Sequence, residues 1–142
     1  MKVREILRSK GDQVFTIEPD ATLNVVAEKL EAHNCGSLVV ARQDGGTIGI
    51  ITERDILRAC AQHSGRLDGL LVSDYMSQDV RQGHPDADIN DIMGLMTTKR
   101  IRHLPIEEDG QRVGLISIGD LVKAQYNQLH VENHYLKSYI QS

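Results

Sequence analysis

Two short stretches of this chain have the composition of a site for polar ligand groups. Gly49-Ile50-Ile51-Thr52-Glu53-Arg54-Asp55 and Gly114-Leu115-Ile116-Ser117-Ile118-Gly119-Asp120 share a glycine, an apolar middle, a hydroxyl residue and an aspartate. The pattern predicts a buried strand that runs into a helix, with the hydroxyl residue at the junction. Two chemistries are open at such a junction. In a capping box, Thr52 or Ser117 accepts a backbone N–H of the first helical turn while Asp55 or Asp120 reaches back, which stabilises the helix by about 1 kcal/mol. Alternatively, the helix N-terminus offers N–H donors and a positive dipole end to a ligand. An aspartate there can accept from both hydroxyls of a ribose. A cap has no need of the leading glycine. Its presence in both stretches favours the ligand reading, because glycine lets a ligand approach the backbone closely.

The two stretches belong to a longer internal repeat. Pro19-Asp20-Ala21-Thr22-Leu23-Asn24 returns as Pro85-Asp86-Ala87-Asp88-Ile89-Asn90, 66 residues on, whereas Gly49 and Gly114 are 65 apart. One residue has been gained or lost between, in the polar stretches 41–47 and 107–112, whose Asp-Gly steps favour a hairpin turn. Ahead of each repeat stands a short amphipathic leader, Val3-Arg4-Glu5-Ile6-Leu7 and Val72-Ser73-Asp74-Tyr75-Met76. These internal matches divide the chain into one repeat over 1–71, a second over 72–125 and a helical extension over 126–142.

The elements that must position the two motifs follow from periodicity. Leu23, Val26, Ala27 and Leu30, matched by Ile89, Ile92, Met93 and Met96, predict a helix in each repeat, with Thr22 and Asp88 as candidate N-caps. Ser37-Leu38-Val39-Val40 and His103-Leu104-Pro105-Ile106 predict short buried strands, the second at a sheet edge because proline has no N–H to donate. A second strand, 48–51 or 113–116, leads into each motif, and a leading strand over 13–17 completes the order β-α-β-β-α in the first repeat.

With these residues in view, the chain from Val3 to about Ala124 resembles a tandem pair of CBS (cystathionine β-synthase) domains, an α/β (α+β) fold of two β-α-β-β-α repeats related by pseudo-two-fold symmetry. The resemblance implies a stand-alone regulatory module, without catalysis, that takes AMP, ADP, ATP, NAD(H) or S-adenosylmethionine in clefts between the repeats. Carried onto this sequence, it gives Thr52, Asp55, Ser117 and Asp120 to the ribose, and Thr16, Ile17, Gly36, Ser37 and Leu38, or His103, Leu104 and Pro105, to the base. Phosphates fall to Arg54, Lys99, Arg100, Arg102 and His103. The basic run 99–103 faces an uncharged Asn34-Cys35-Gly36 in the first repeat, so the two sites are chemically unequal. The resemblance also implies a homodimer and a regulated protein that reads it.

Composition narrows the alternatives. A net charge of −4 with 25% charged residues lacks the concentrated basic face of a nucleic-acid binder, and the absence of Trp removes a stacking platform. No stretch approaches the roughly 20 apolar residues of a membrane span, and the two cysteines, Cys35 and Cys60, have no metal-ligand spacing, which together favour a reduced, cytoplasmic setting. His130 and His134 stand four apart without a third ligand, so no metal is expected. After Asp120 the chain predicts one long helix. On it Val122, Tyr126, Leu129, Asn133, Leu136 and Ile140 form a heptad-like stripe that either dimerises, meets a partner or packs on its own domain. A ligand-independent scaffold acting through that helix is the competing reading of the whole chain.

Overall fold

The structure, a computed structural model, describes residues 1–11, 13–78 and 80–141. The chain divides into two compact units, one of Gln13–Arg81 and one that joins Met1–Asp12 to Gln82–Ser142.

In the unit Gln13–Arg81, β1 (Thr16–Ile17) lies parallel to β2 (Ser37–Ala41), and β2 pairs antiparallel with β3 (Thr47–Thr52) in a sheet of order β1-β2-β3. The helices α2 (Leu23–His33) and α3 (Glu53–Gln62) pack on β2 and β3. The periodic positions Leu23, Val26 and Leu30 of α2 meet Leu38, Val40 and Ile51 of the strands in a shared core. The short helix α4 (Val72–Tyr75) closes the unit by burying Val72 completely.

The other unit repeats the plan with one strand reduced. Helix α5 (Ile89–Lys99) is followed by the hairpin of β4 (His103–Glu108) and β5 (Gln111–Ser117), then by α6 (Ile118–Gln141). Asp109 and Gly110 form the two-residue hairpin loop with φ of 54° and 75°, the mirror-image turn that an Asp-Gly step favours. In place of β1 there is a single parallel bridge between Gly83 and Ile106. Pro105 supplies the reason: at the matching place in the first repeat, the N–H of Val39 donates to the Phe15 carbonyl at 3.1 Å, and proline has no N–H.

The leaders dock crosswise. The amides of Val3 and Arg4 donate to the carbonyls of Ala87 and Pro85 at 3.0 and 2.7 Å, and those of Val72 and Ser73 donate to Ala21 and Pro19, both at 2.9 Å. Helix α1 (Val3–Lys10), which precedes the first repeat, therefore completes the core around the second, where Val3, Ile6 and Leu7 join Leu104, Ile116 and Leu121. Arg4 fastens it with bonds to Asp86 at 3.1 Å and Glu108 at 2.6 Å.

This docking accounts for the motif glycines. A Cβ on Gly49 would stand 2.6 Å from Met76 Sδ and 2.9 Å from the Ser77 carbonyl, and one on Gly114 would stand 2.5 Å from a methyl of Leu7. The expectation that these glycines admit a ligand to the backbone is corrected: the space is filled by the exchanged leaders.

Candidate functional site

At the end of β3 the backbone turns into α3, and Thr52 caps it. The Thr52 amide donates to Asp55 Oδ2 at 2.8 Å, while the Asp55 amide donates to Thr52 Oγ1 at 3.3 Å. The other carboxylate oxygen, Asp55 Oδ1, accepts from Arg58 one turn further on, at 3.0 Å. Asp55 is 9% exposed, so the interaction is between a nearly buried carboxylate and a guanidinium that reaches in from the surface.

The junction of β5 and α6 is built alike. The Ser117 amide donates to Asp120 Oδ2 at 2.9 Å and the Asp120 amide donates to Ser117 Oγ at 3.0 Å. Here the cation comes from α1: Lys10 Nζ lies 2.6 Å from Asp120 Oδ2 and donates to the Leu115 carbonyl at 2.8 Å. Burial by itself pushes the Asp120 carboxyl up. The Lys10 ammonium and the Ser117 amide outweigh it and hold the group below the ordinary aspartate value. Both motifs therefore form complete capping boxes at a helix N-terminus.

Strand pairing brings the residues assigned to the base beside those assigned to the ribose. Ser37 is the register partner of Thr52, and His103 that of Ser117. The Glu53 amide donates to the Gly36 carbonyl at 3.0 Å, as the Ile118 amide does to Arg102 at 2.9 Å. Thr16 lies further off, paired with Val39. Leu38 and Leu104 are fully buried within their cores, and Ile17 nearly so. Their side chains serve packing, and only their backbone can meet a ligand.

The candidate phosphate residues divide by place. Arg54, Lys99, Arg100 and Arg102 are exposed and His103 is half-buried. Arg102 joins the Ser117–Asp120 turn through its carbonyl, whereas Arg100 forms the left-handed C-cap of α5 with φ of 55°. Opposite polarity marks the first junction, where Glu53 Oε1 stands 3.4 Å from the position of a Gly36 Cβ and Ile118 occupies the equivalent place in the second. The first turn thus carries the Glu53 carboxylate beside Gly36, and the second carries the Lys10 ammonium on Asp120.

Three residues of these surroundings escaped the sequence reading. Arg58 carries a local signal, since it lies one helical turn beyond Asp55. Lys10 and Arg4 carry none, because their carboxylate partners lie more than eighty residues away. A surface cavity of about 390 Å³ beside α1, lined by Arg4, Arg8 and Glu108 among others, contains none of the ribose or base candidates. His84, Asp86 and Glu108 bring one ligand atom each within 4.8 Å of one another, and Arg4 already bonds to both carboxylates. Among the described residues no helix is long and apolar enough to cross a membrane.

Known proteins resemble this chain in sequence and fold. The chain is 38% identical over 114 residues to the CBS domain-containing protein YhcV of Bacillus subtilis, covering 80% of this chain and 79% of that protein. Its fold superposes on the CBS-domain containing protein ATU1752 from Agrobacterium tumefaciens with a TM-score of 0.84 at 38% identity, covering 88% of this chain and 99% of the other. The CBS domain pair of protein MJ0100, in complex with methylthioadenosine and S-adenosyl-L-methionine, has the same fold at 23% identity, with a TM-score of 0.79 over 90% of this chain and 98% of that one. The family model of the CBS domain matches twice, over residues 3–62 and 72–127. With two repeats, twin capped aspartates and this fold, the chain belongs to the CBS-domain family as a tandem pair.

Proposed function

We propose that this CBS pair is a non-catalytic regulatory module that binds an adenine nucleotide, AMP, ADP, ATP or NAD(H), with Asp55 and Asp120 as ribose acceptors. The observation that carries the proposal is the placement of each aspartate in the first turn of a helix, bonded to the hydroxyl residue, Thr52 or Ser117, that pairs across the strands with Ser37 or His103. The adenosine ligands of the MJ0100 domain pair support the same chemical class.

The two turns are proposed to differ in what they accept. Lys10 on Asp120, with Arg102 and His103 adjoining the Ser117–Asp120 turn through their backbone, suits a phosphorylated nucleotide there. Glu53 beside Gly36 suits a ligand that presents no phosphate there. The module acts as a cytoplasmic homodimer whose ligand-dependent state is read by a regulated protein, with differential affinity for the two states as the energy source.

The test is thermal-shift titration of protein stripped by denaturation and refolding, with AMP, ADP, ATP, NAD, NADH and S-adenosylmethionine each in turn. One of them raises the melting temperature by several degrees at saturation, and Asp120→Asn abolishes that rise while the unliganded variant, somewhat less stable without the Lys10 ion pair, still melts cooperatively. Asparagine keeps an acceptor for the Ser117 amide, so loss of the shift separates ligand binding from capping. No shift with any of the six overturns the proposal. In that case the ligand-independent scaffold stands, a reading favoured by the exposed apolar residues of α6.

A further inference from the structure

We infer that α6 pairs with its counterpart in a second copy of this chain as a parallel two-stranded coiled coil. The inference rests on the proposed homodimer and is independent of the nucleotide site.

Helix α6 leaves its unit after about two turns, Ile118 to Gln125. Leu121 and Ala124 are buried, and every described residue from Tyr126 onward is exposed. The stripe that continues outward is apolar: Val122 is 54% exposed, Tyr126 67%, Leu129 59%, Leu136 59% and Ile140 80%. At about 100° per residue, this stripe lies well around the helix from the face that holds Leu121 and Ala124. Val122 and Tyr126 stay exposed although their neighbours are packed, so the stripe does not serve the helix's own unit. A helical arm of this length without a partner is marginal in water.

The sequence of the arm specifies the partner. Spacings of 4, 3, 4, 3 and 4 place Val122, Leu129 and Leu136 at d positions and Tyr126, Asn133 and Ile140 at a positions of a heptad. Leucine at d with one asparagine at a is the pattern of parallel dimers, in which the two asparagines meet and fix the register. Glu132 then falls at g and Lys137 at the following e, five residues later. In a parallel pair these are the facing positions, so Glu132 of each copy meets Lys137 of the other. An antiparallel pair sets g against g and e against e, like charge near like. The stripe is short, but the Ser117–Asp120 cap and the packed first turn nucleate the helix in advance.

Sedimentation equilibrium of the full chain tests this. The expected result is a dimer whose dissociation constant rises about a hundredfold or more in Leu129→Glu/Leu136→Glu, with the melting transition of the units retained because both positions are exposed. Lys137→Glu weakens the dimer and Glu132→Lys/Lys137→Glu restores it. In a chain carrying Cys35→Ala and Cys60→Ala, Leu136→Cys forms an intermolecular disulfide on mild oxidation, as parallel helices require. A monomeric wild type overturns both the homodimer and the coiled coil. A dimer indifferent to the Leu129→Glu/Leu136→Glu change overturns the coiled coil and leaves the homodimer. Failure of Leu136→Cys to cross-link a dimer that does depend on the leucines overturns the parallel orientation.

Discussion

Asp120 is held by opposing influences that can be separated by experiment. Burial favours its neutral form, while Lys10 and the Ser117 amide favour the carboxylate and prevail. Its folded pKa lies below the unfolded value of about 3.9, so its contribution to stability is complete above roughly pH 4 and is lost as pH falls through the folded value. Asp86, held down chiefly by Arg4, acts in the same direction. The melting temperature is therefore expected to decline on acidification below about pH 4. In Lys10→Met burial is opposed only by the Ser117 amide and hydroxyl, so the folded value moves up toward the unfolded one and the part of the decline that Asp120 contributes shrinks; identical profiles would refute the assignment to Lys10. The same substitution bears on the ligand. In the proposed role of Asp120 as a ribose acceptor, the ammonium at 2.6 Å competes with the ribose hydroxyl, so Lys10→Met is expected to tighten adenosine binding roughly threefold to tenfold, as calorimetry would report.

At the level of elements, the repeated glycines distinguish two kinds of close packing. An alanine at 114 meets the end of a flexible leucine side chain, which can move aside. An alanine at 49 meets the backbone carbonyl of Ser77, whose amide and carbonyl are both bonded to Ile50, so the segment cannot shift without breaking those bonds. Gly49→Ala is accordingly expected to lose more stability than Gly114→Ala, on the scale of 1–3 kcal/mol typical of overpacking, and denaturant midpoints of the two variants decide the order. The edge position expected for Pro105 shows how far local chemistry reaches. The missing N–H was readable, and it accounts for the reduction of a strand to the Gly83–Ile106 bridge. Of the two cap candidates at the first helices, Asp88 accepts from the Asn90 amide at 2.8 Å, while Thr22 makes no side-chain cap bond.

At the scale of the whole molecule, the repeat boundaries in the sequence and the boundaries of the packed units are different partitions of one chain. Residues 13–81 form a contiguous unit that includes the buried Val72 and the Met76 that fills the space over Gly49. A fragment of residues 13–81 is therefore expected to show a cooperative thermal transition, whereas residues 1–71, cut before Val72, lack those groups and expose the core of the first repeat. Far-ultraviolet melting curves of the two fragments check this, and a cooperative 1–71 fragment would show that the leader contributes little.

Much of this protein was written in local order. The doubled Gly-to-Asp motif, the 3.6-residue periodicity of α2 and α5, the Asp-Gly turn and the heptad stripe of α6 each depend on residues near one another in sequence, and each specifies its own backbone or face. The β-α-β-β-α order followed from these signals, and so did the pairing of aspartate with hydroxyl at each helix start. The exchange of leaders, the closing of Gly49 and Gly114 by Met76 and Leu7, and the cation that holds Asp120 were decided by tertiary structure. Lys10 and Asp120 are 110 residues apart, and no periodicity spans that distance. Their meeting depends on which hydrophobic face α1 covers, a choice settled by the whole core and by no single segment.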